Sequence, residues 1–282
     1  MIYLYLSITI LGWGVGQTLL KIGFARSTPI SSYLIGGILG LAVWLPYILV
    51  NKPVLTGIGL YLPLCLAISL AYLTFYYSLN AGELSIASAI LGTYPMYTVL
   101  FAVFVMGEKL SWLQWCGLAT ITAGIGLLSY LSHPSPAAGT GSKEARDARI
   151  WLFLSVISAV LIGVADAMCK VVIDRTNVSA FSLYLNTVQI CAGLLLKLLF
   201  EGREFSFETL KSRYSLAGIL LLNIGGLTFT IALSMGQASI IVPLSSTYLA
   251  LVTVLSWLFL KEKMGPMKAA SISMVIAGIM ML

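Results

Sequence analysis

Long apolar runs separated by short polar breaks make up most of this chain. Ten of these runs are about as long as the ~20 apolar residues that a helix needs to cross a bilayer, so the pattern predicts ten transmembrane helices. The predicted spans are Ile2–Phe24, Tyr33–Val50, Gly57–Asn80, Ile86–Met106, Trp112–Leu131, Ile150–Ile173, Ala180–Phe200, Tyr214–Met235, Ile240–Leu260 and Met267–Leu282. The connections 81–85 and 236–239 are so short that the helices on either side of each must form a hairpin.

The second half of the chain repeats the first. At a shift of 154 positions, residues 72–128 match residues 226–282 without a gap, with 15 identities over 57 positions. The first helices match at a shift of 149, which pairs Gly14 with Gly163 and Lys21 with Lys170. Because turn and boundary residues stay in register, the pattern indicates an internal duplication with a length difference in one loop.

A polar connector at 132–149 divides the chain into a first repeat, 1–131, and a second repeat, 150–282. Its Pro, Gly, Ser and charged residues are typical of a flexible linker. Each half holds an odd number of spans, so the second half must enter the membrane from the opposite face. The expected fold is an all-α membrane protein in which ten transmembrane helices form two inverted five-helix repeats, with a site near the midplane between them.

Composition excludes a soluble protein, because 59% of the residues are apolar and only 9% are charged, against roughly 25% charged in soluble domains. We expect a multi-pass protein of the cell (inner or plasma) membrane. The net charge of +6 therefore concerns orientation in the bilayer and not nucleic-acid binding. The single His133, the scattered cysteines and the lack of a P-loop predict neither a metal, nor a cofactor, nor direct use of ATP.

Short motifs in the first helix and at the end of each repeat resemble those of EamA-type members of the drug/metabolite transporter superfamily. They are Gly12-Trp13-Gly14 with Lys21, Gly107-Glu108-Lys109 before Ala123-Gly124-Ile125, and Glu262-Lys263 before Ala277-Gly278-Ile279. The resemblance implies secondary transport of a small metabolite by alternating access, with helices one to four and six to nine around the pathway. It also implies cytoplasmic termini, whereas the distribution of Lys and Arg favours a cytoplasmic linker and external termini.

Ionisable residues inside a bilayer are functional candidates by default. Asp166 lies well inside the sixth helix, and Lys170 follows four residues later on the same face. The pair is either an internal ion pair, or Asp166 takes up a proton or a cationic group in competition with Lys170. Lys21 lies near a helix end, where it lines the pathway or extends to the membrane surface.

Aromatic and amide side chains complete the set of candidates. Such groups either stack on and hydrogen-bond to a substrate, or they join helices to one another. The predicted substrate-binding or pathway residues are Trp13, Gln17, Lys21, Tyr72, Tyr76, Asn80, Tyr94, Asp166, Lys170, Asn186, Gln189 and Tyr248.

Two further features concern bending and assembly. Pro95 and Pro243 interrupt helices four and nine, and because they are not equivalent in the repeat, we expect them to bend the halves at different depths. Small residues spaced four apart in helices five and ten indicate tight packing, within one chain or across a homodimer.

These observations predict a secondary transporter for a small polar or amphipathic metabolite of the amino-acid or amine class, with proton coupling through Asp166 as one option. The expected partners are membrane lipids, the substrate and protons. An exchanger of an anionic metabolite, which uses Lys21 and Lys170, is the alternative within transport. A non-transporting membrane scaffold and a lipid-handling enzyme are the alternatives from other classes, although no HExxH or GxSxG motif supports an enzyme.

Overall fold

A computed structural model describes residues 1–55, 58–106, 110–131, 142–200, 208–236 and 238–281. These described residues form helices and connections, without a strand among them. The helices are α1 Ile2–Gly23, α2 Pro29–Val50, α3 Ile58–Ala81, α4 Leu84–Leu91, α5 Tyr94–Met106, α6 Trp112–Leu131, α7 Ser142–Arg175, α8 Val178–Phe200, α9 Glu208–Lys211, α10 Arg213–Met235, α11 Ala238–Ser245, α12 Tyr248–Leu260 and α13 Pro266–Met280.

The helices confirm an integral membrane protein with many spans. Eight helical segments within the described residues are long and apolar enough to cross a bilayer. Two more apolar helices, α6 and α13, pack against each other, and α13 is shorter, at 15 residues. The total of ten crossings, and the identity of the membrane, stay predictions.

The predicted linker at 132–149 is partly helical. Residues 132–141 lie outside the described residues, but α7 begins at Ser142, before the predicted span at Ile150. The residues from Lys143 to Arg149 are almost all Lys, Glu, Ala and Arg, which favour helix over coil even where the helix extends beyond the apolar run. The hydropathy pattern locates the membrane-crossing part of such a helix and not its full length.

Equivalent helices of the two halves run antiparallel. Gly124 on α6 lies against the carbonyl of Ser271, and Gly278 on α13 lies against the carbonyl of Gly117. These are the same contact made once from each half, because Gly278 is the counterpart of Gly124 and Ser271 the counterpart of Gly117, each 154 positions later. Such two-fold packing is the geometry expected of inverted repeats. It places the tight α6–α13 packing within one chain, while a homodimer through these helices stays a prediction.

The large packing surfaces of α1 and α3 obey the same symmetry. The helix α1 packs on α10, and their counterparts α7 and α3 pack together in the same way. The Thr9 hydroxyl donates to the carbonyl of Gly225 at 3.2 Å, and the Ser158 hydroxyl donates to the carbonyl of Ala71 at 2.8 Å. Thr9 corresponds to Ser158 at the shift of 149, and Ala71 corresponds to Gly225 at the shift of 154. The same hydrogen bond is therefore formed once in each of the two equivalent helix pairs.

The predicted helices four and nine are each broken into two, as α4–α5 and α11–α12. The break falls at Gly92-Thr93 in one half and at Ser246-Thr247 in the other, which are equivalent positions. In each break the threonine hydroxyl donates to a carbonyl three residues earlier, at 2.6 Å in the first half and 2.8 Å in the second.

The expectation that Pro95 and Pro243 bend the halves at different depths is therefore wrong. Pro95 is the second residue of α5, where its missing N–H is not needed by a helix, and Pro243 lies inside α11 before the break. The two breaks lie at equivalent positions of the repeat, although Pro95 follows its break and Pro243 precedes its own.

Close packing of α1 on α10 predicts a stability effect at Gly12. A Cβ atom there would lie 2.7 Å from the carbonyl oxygen of Leu221 and 3.1 Å from the Cα of Gly225. We expect Gly12→Ala to lower the free energy of unfolding by about 1–3 kcal/mol, measured as a lower Tm in detergent. Gly59→Ala is the matched control, because a Cβ there meets no atom within 4 Å; an equal Tm for both variants would contradict the close crossing.

Candidate functional site

A cavity of about 120 Å³ lies at the seam of the two halves, near the middle of the helices. Both halves line it, the first through α1 to α5 and the second through α7, α8, α10 and α12. Its position matches the midplane site expected between inverted repeats.

Most of the pathway residues predicted from the sequence meet in this cavity. Three of them lie elsewhere: Lys21 and Asn80 at the ends of α1 and α3, and Lys170 one turn beyond Asp166. The nine that line the cavity are Trp13, Gln17, Tyr72, Tyr76, Tyr94, Asp166, Asn186, Gln189 and Tyr248.

Asp166 is a buried acid without a bonded partner. Its Oδ2 atom has no hydrogen-bond donor among the described residues. The predicted ion pair with Lys170 does not form, because Lys170 donates instead to Asp174 at 2.7 Å, four residues further towards the helix end. Asp174 is half-exposed, so this pair avoids the desolvation that a pair with Asp166 would require. An unsatisfied carboxyl group in an apolar bundle is costly, so Asp166 is a candidate for binding a ligand or a proton.

Aromatic rings form much of the cavity wall. Trp13 packs on Phe229 with ring centroids 5.1 Å apart, and it meets Tyr248 edge-on at 5.6 Å. Tyr76 makes an edge contact with Tyr33 at 6.4 Å. Such rings offer apolar surface and negative π faces, and both suit an organic cation.

Amide side chains supply acceptors on the opposite wall. The Nδ2 atom of Asn186 donates to the carbonyl of Ser182 at 2.8 Å, and the Nδ2 atom of Asn223 donates to the carbonyl of Ile219 at 3.0 Å. Their Oδ1 atoms converge on Gly40, where a Cβ would collide with both. With the NH₂ groups bonded to the backbone, the amide oxygens are the atoms available to a ligand.

The two broken helices meet beside the cavity. The hydroxyl of Tyr94, at the start of α5, hydrogen-bonds to the hydroxyl of Ser245, at the end of α11. Ser88 on α4 donates to the Oε1 atom of Gln17 at 2.7 Å. Leu91 and Tyr248, which flank the two breaks, also line the cavity. Helix ends carry partial charges, so these breaks bring dipoles to the site without adding ionised groups.

The repeat relates lining residues of the two halves, and from Tyr72 and Tyr76 it could have identified Gly226 and Thr230, which the sequence analysis missed. The lining residues of α3 map at a shift of 154 onto those of α10. The pairs are Ile68 with Leu222, Tyr72 with Gly226, Phe75 with Phe229 and Tyr76 with Thr230. Likewise, Gln17 maps onto Asp166 at a shift of 149.

Trp44 is a further lining residue that the sequence analysis missed. Its Nε1 atom has no acceptor among the described residues. No local pattern singles it out, although it follows Gly36 and Gly40 on one face of α2. Its free N–H adds a donor to the cavity.

Comparison with known proteins agrees with the repeat. The model of the EamA-like transporter family matches residues 1–130 and again residues 149–282. An uncharacterized protein of Methanocaldococcus jannaschii is 31% identical over 131 residues, which cover 46% of this chain and 94% of that protein. That relative is therefore about as long as one repeat. A protein of known crystal structure superposes with a TM-score of 0.71 at 17% identity, covering 99% of this chain and 95% of the other, which supports the fold.

The position of Cys169 in the cavity wall predicts selective chemical labelling. Both thiols are buried, but Cys169 lines the cavity and Cys65 does not. We expect a variant that keeps only Cys169 to react with methyl methanethiosulfonate about tenfold faster than one that keeps only Cys65, because access limits the reaction of a thiol.

The charge of Asp166 can be read in the same assay. In the Cys169-only protein, Asp166→Asn should slow the reaction of the thiol with the cationic aminoethyl methanethiosulfonate by about fivefold relative to its reaction with the neutral methyl methanethiosulfonate. Because both reagents react with the same thiol, the ratio of the two rates does not depend on a change in the reactivity of that thiol. An unchanged ratio would show that Asp166 does not set the charge of the cavity.

Proposed function

The chain belongs to the EamA-like transporter family, and on that basis we propose that it is a secondary transporter for a small organic cation or zwitterion of the amine or amino-acid class. It moves this substrate by alternating access, with the cavity at the seam as the binding site. The observation that carries the proposal is the unpartnered carboxyl group of Asp166 inside an aromatic cavity.

The charge of the cavity favours a cation over an anion. Asp166 is the one ionisable acid among the described lining residues, and none of those residues is a lysine or an arginine. Both lysines of the anion-exchanger alternative have other partners, since Lys21 bonds to backbone carbonyls of α3 and Lys170 bonds to Asp174. An anionic metabolite would therefore meet one negative charge and no positive one.

The alternatives from other classes explain the cavity less well. A scaffold protein gains stability from a filled interior, and a buried acid without a partner costs stability. A lipid-handling enzyme needs a nucleophile or a group of acids at the membrane surface, whereas Asp166 lies deep in the bundle. A transporter needs polar groups that are unpaired within the protein, because a substrate must bind to them and later be released.

We further propose that a proton and the substrate amine compete for Asp166. One carboxyl group cannot hold both, so binding of one releases the other, and the two species move in opposite directions. This arrangement would export an amine at the expense of an inward proton gradient, or the reverse. The broken helices α4–α5 and α11–α12 provide the points at which the inverted halves bend between states.

The proposed substrate class can be tested by ligand-induced stabilisation. We expect primary or quaternary amines, or amino acids, to raise the Tm of the detergent-solubilised protein, while carboxylates and phosphates without an amine do not. A ligand at 100 times its Kd stabilises the folded state by ~2.7 kcal/mol. Stabilisation by anions alone would instead support the anion-exchanger alternative.

The role of Asp166 can be tested by transport. In proteoliposomes with an imposed pH gradient, Asp166→Asn should reduce uptake of the stabilising amine by about 100-fold or more, because the buried charge–charge contact is lost. The wild type should lose its response when the gradient is collapsed. Asp166→Glu keeps the charge and is the matched control, expected to retain part of the uptake. Equal uptake by wild type and Asp166→Asn, with and without the gradient, would remove Asp166 from the mechanism.

A further inference from the structure

Lys21 binds the end of α3. Its Nζ atom donates to the carbonyls of Leu79 at 2.7 Å, Asn80 at 3.0 Å and Gly82 at 2.6 Å. The last carbonyls of a helix have no partner within the helix, and they form the negative end of its dipole. One ammonium group thus satisfies two of them, together with the carbonyl of Gly82 just after the helix, and joins α1 to the α3–α4 turn. We call this set of bonds the Lys21 latch.

The same turn is held from a second direction. The carboxylate of Glu262, which follows α12, accepts from the N–H groups of Leu84 at 2.6 Å and Ser85 at 3.2 Å. Lys268 on α13 approaches Glu262 at 3.6 Å and forms an ion pair with Glu83. The sequence analysis did not foresee this role for the Glu-Lys motif, which here attaches the second half of the chain to the first. Polar contacts thus join α1, α4 and α13 at this face of the protein.

The opposite face has the equivalent residues but not the equivalent bonds. Lys170 is the counterpart of Lys21, and Leu233, Ser234 and Gly236 are the counterparts of the three acceptors. Within the described residues, Lys170 makes no bond to those carbonyls and donates to Asp174 instead, with the two side chains 25% and 50% exposed. Both halves thus carry the lysine and the acceptor carbonyls, but within the described residues the bonds between them form on one face only.

We propose that Lys21 and Lys170 are alternating latches, positioning residues that close opposite faces of the transporter in turn. In the state seen here the Lys21 latch is engaged. In the opposite state Lys170 leaves Asp174 and donates to the carbonyls of Leu233, Ser234 and Gly236, while Lys21 releases the α3–α4 turn. The inference rests on the proposed function in one respect, since it assumes that the two halves exchange conformations.

A difference between the halves sets the balance of the two states. Position 174 corresponds to Ala25 in the first half, so only Lys170 has a competing carboxylate four residues away. Asp174 holds Lys170 away from its acceptors, and it therefore favours the state in which the Lys21 latch is engaged. A contact shifts a conformational equilibrium only if it exists in one state and not the other, and each of these bonds meets that condition.

The test measures conformation by spin-label distances in lipid nanodiscs, without a ligand. The cysteines of the chain are replaced, and labels are placed at Arg26 and Ala81 for the Lys21 face, or at Arg175 and Met235 for the Lys170 face. The second pair is the repeat counterpart of the first, and all four residues are exposed. The two pairs therefore report the same movement on opposite faces.

Removal of either restraint should shift the populations in one direction. We expect Lys21→Met, which removes the latch, and Asp174→Ala, which frees Lys170, each to raise the population of the opposite state about tenfold. The Arg26–Ala81 distance should then lengthen, and the Arg175–Met235 distance should shorten. Lys170→Met should keep the wild-type distances, because its latch is not engaged in the state seen here. Lys211→Met, at an exposed lysine outside the network, is the matched control and should also keep them.

Two results would overturn the proposal. One is an unchanged pair of distances in Lys21→Met. The other is a shift in Asp174→Ala that persists in the double variant Asp174→Ala with Lys170→Met, because the freed lysine must carry that effect. The distances do not depend on transport or on Asp166. If the distances shift as expected but the protein does not transport amines, the latch proposal stands and the proposed substrate class is wrong. If the protein transports amines but the distances do not shift, only the latch proposal is wrong.

Discussion

The absence of water in the hydrocarbon core is the constraint on which this structure depends. Each backbone N–H and C=O group there needs a partner within the protein, so continuous helices are the default and any break must face a cavity or a polar side chain. The breaks at Gly92-Thr93 and Ser246-Thr247 follow this rule, because each threonine satisfies a carbonyl and both breaks lie beside the cavity. The Lys21 bonds at the end of α3 follow it as well.

The inverted duplication places the cavity between two equivalent sets of helices. Antiparallel packing of α2 on α8 and of α6 on α13 closes the two ends of the bundle with equivalent surfaces, and glycines allow the close crossings. The pairs α1–α10 and α3–α7 leave between them the seam in which the cavity lies. Because these helix pairs are related by the repeat, each half contributes an equivalent wall to the cavity.

Much of this fold could be predicted from the sequence, because hydropathy and the internal repeat are patterns of neighbouring and equivalently spaced residues along the chain. The predicted spans agree with the helices to within a few residues at most ends, and nine of the twelve pathway residues line one cavity. What could not be predicted depends on neighbours in space. The partner of Lys170 is Asp174 and not Asp166, because exposure differs over one helical turn. Likewise, the bonds of Glu262 to the start of α4 join segments 178 positions apart.

The equivalence of Gln17 and Asp166 has a consequence for the charge of the cavity. If both halves carried an acid at this position, two carboxylates would line the same cavity. Two carboxylates in one dry chamber repel each other and tend to share a proton. Joining the halves in one chain allows one copy to become an amide that accepts from Ser88. The cavity of the fused chain therefore carries one carboxyl group at these two positions, where two identical halves would carry two.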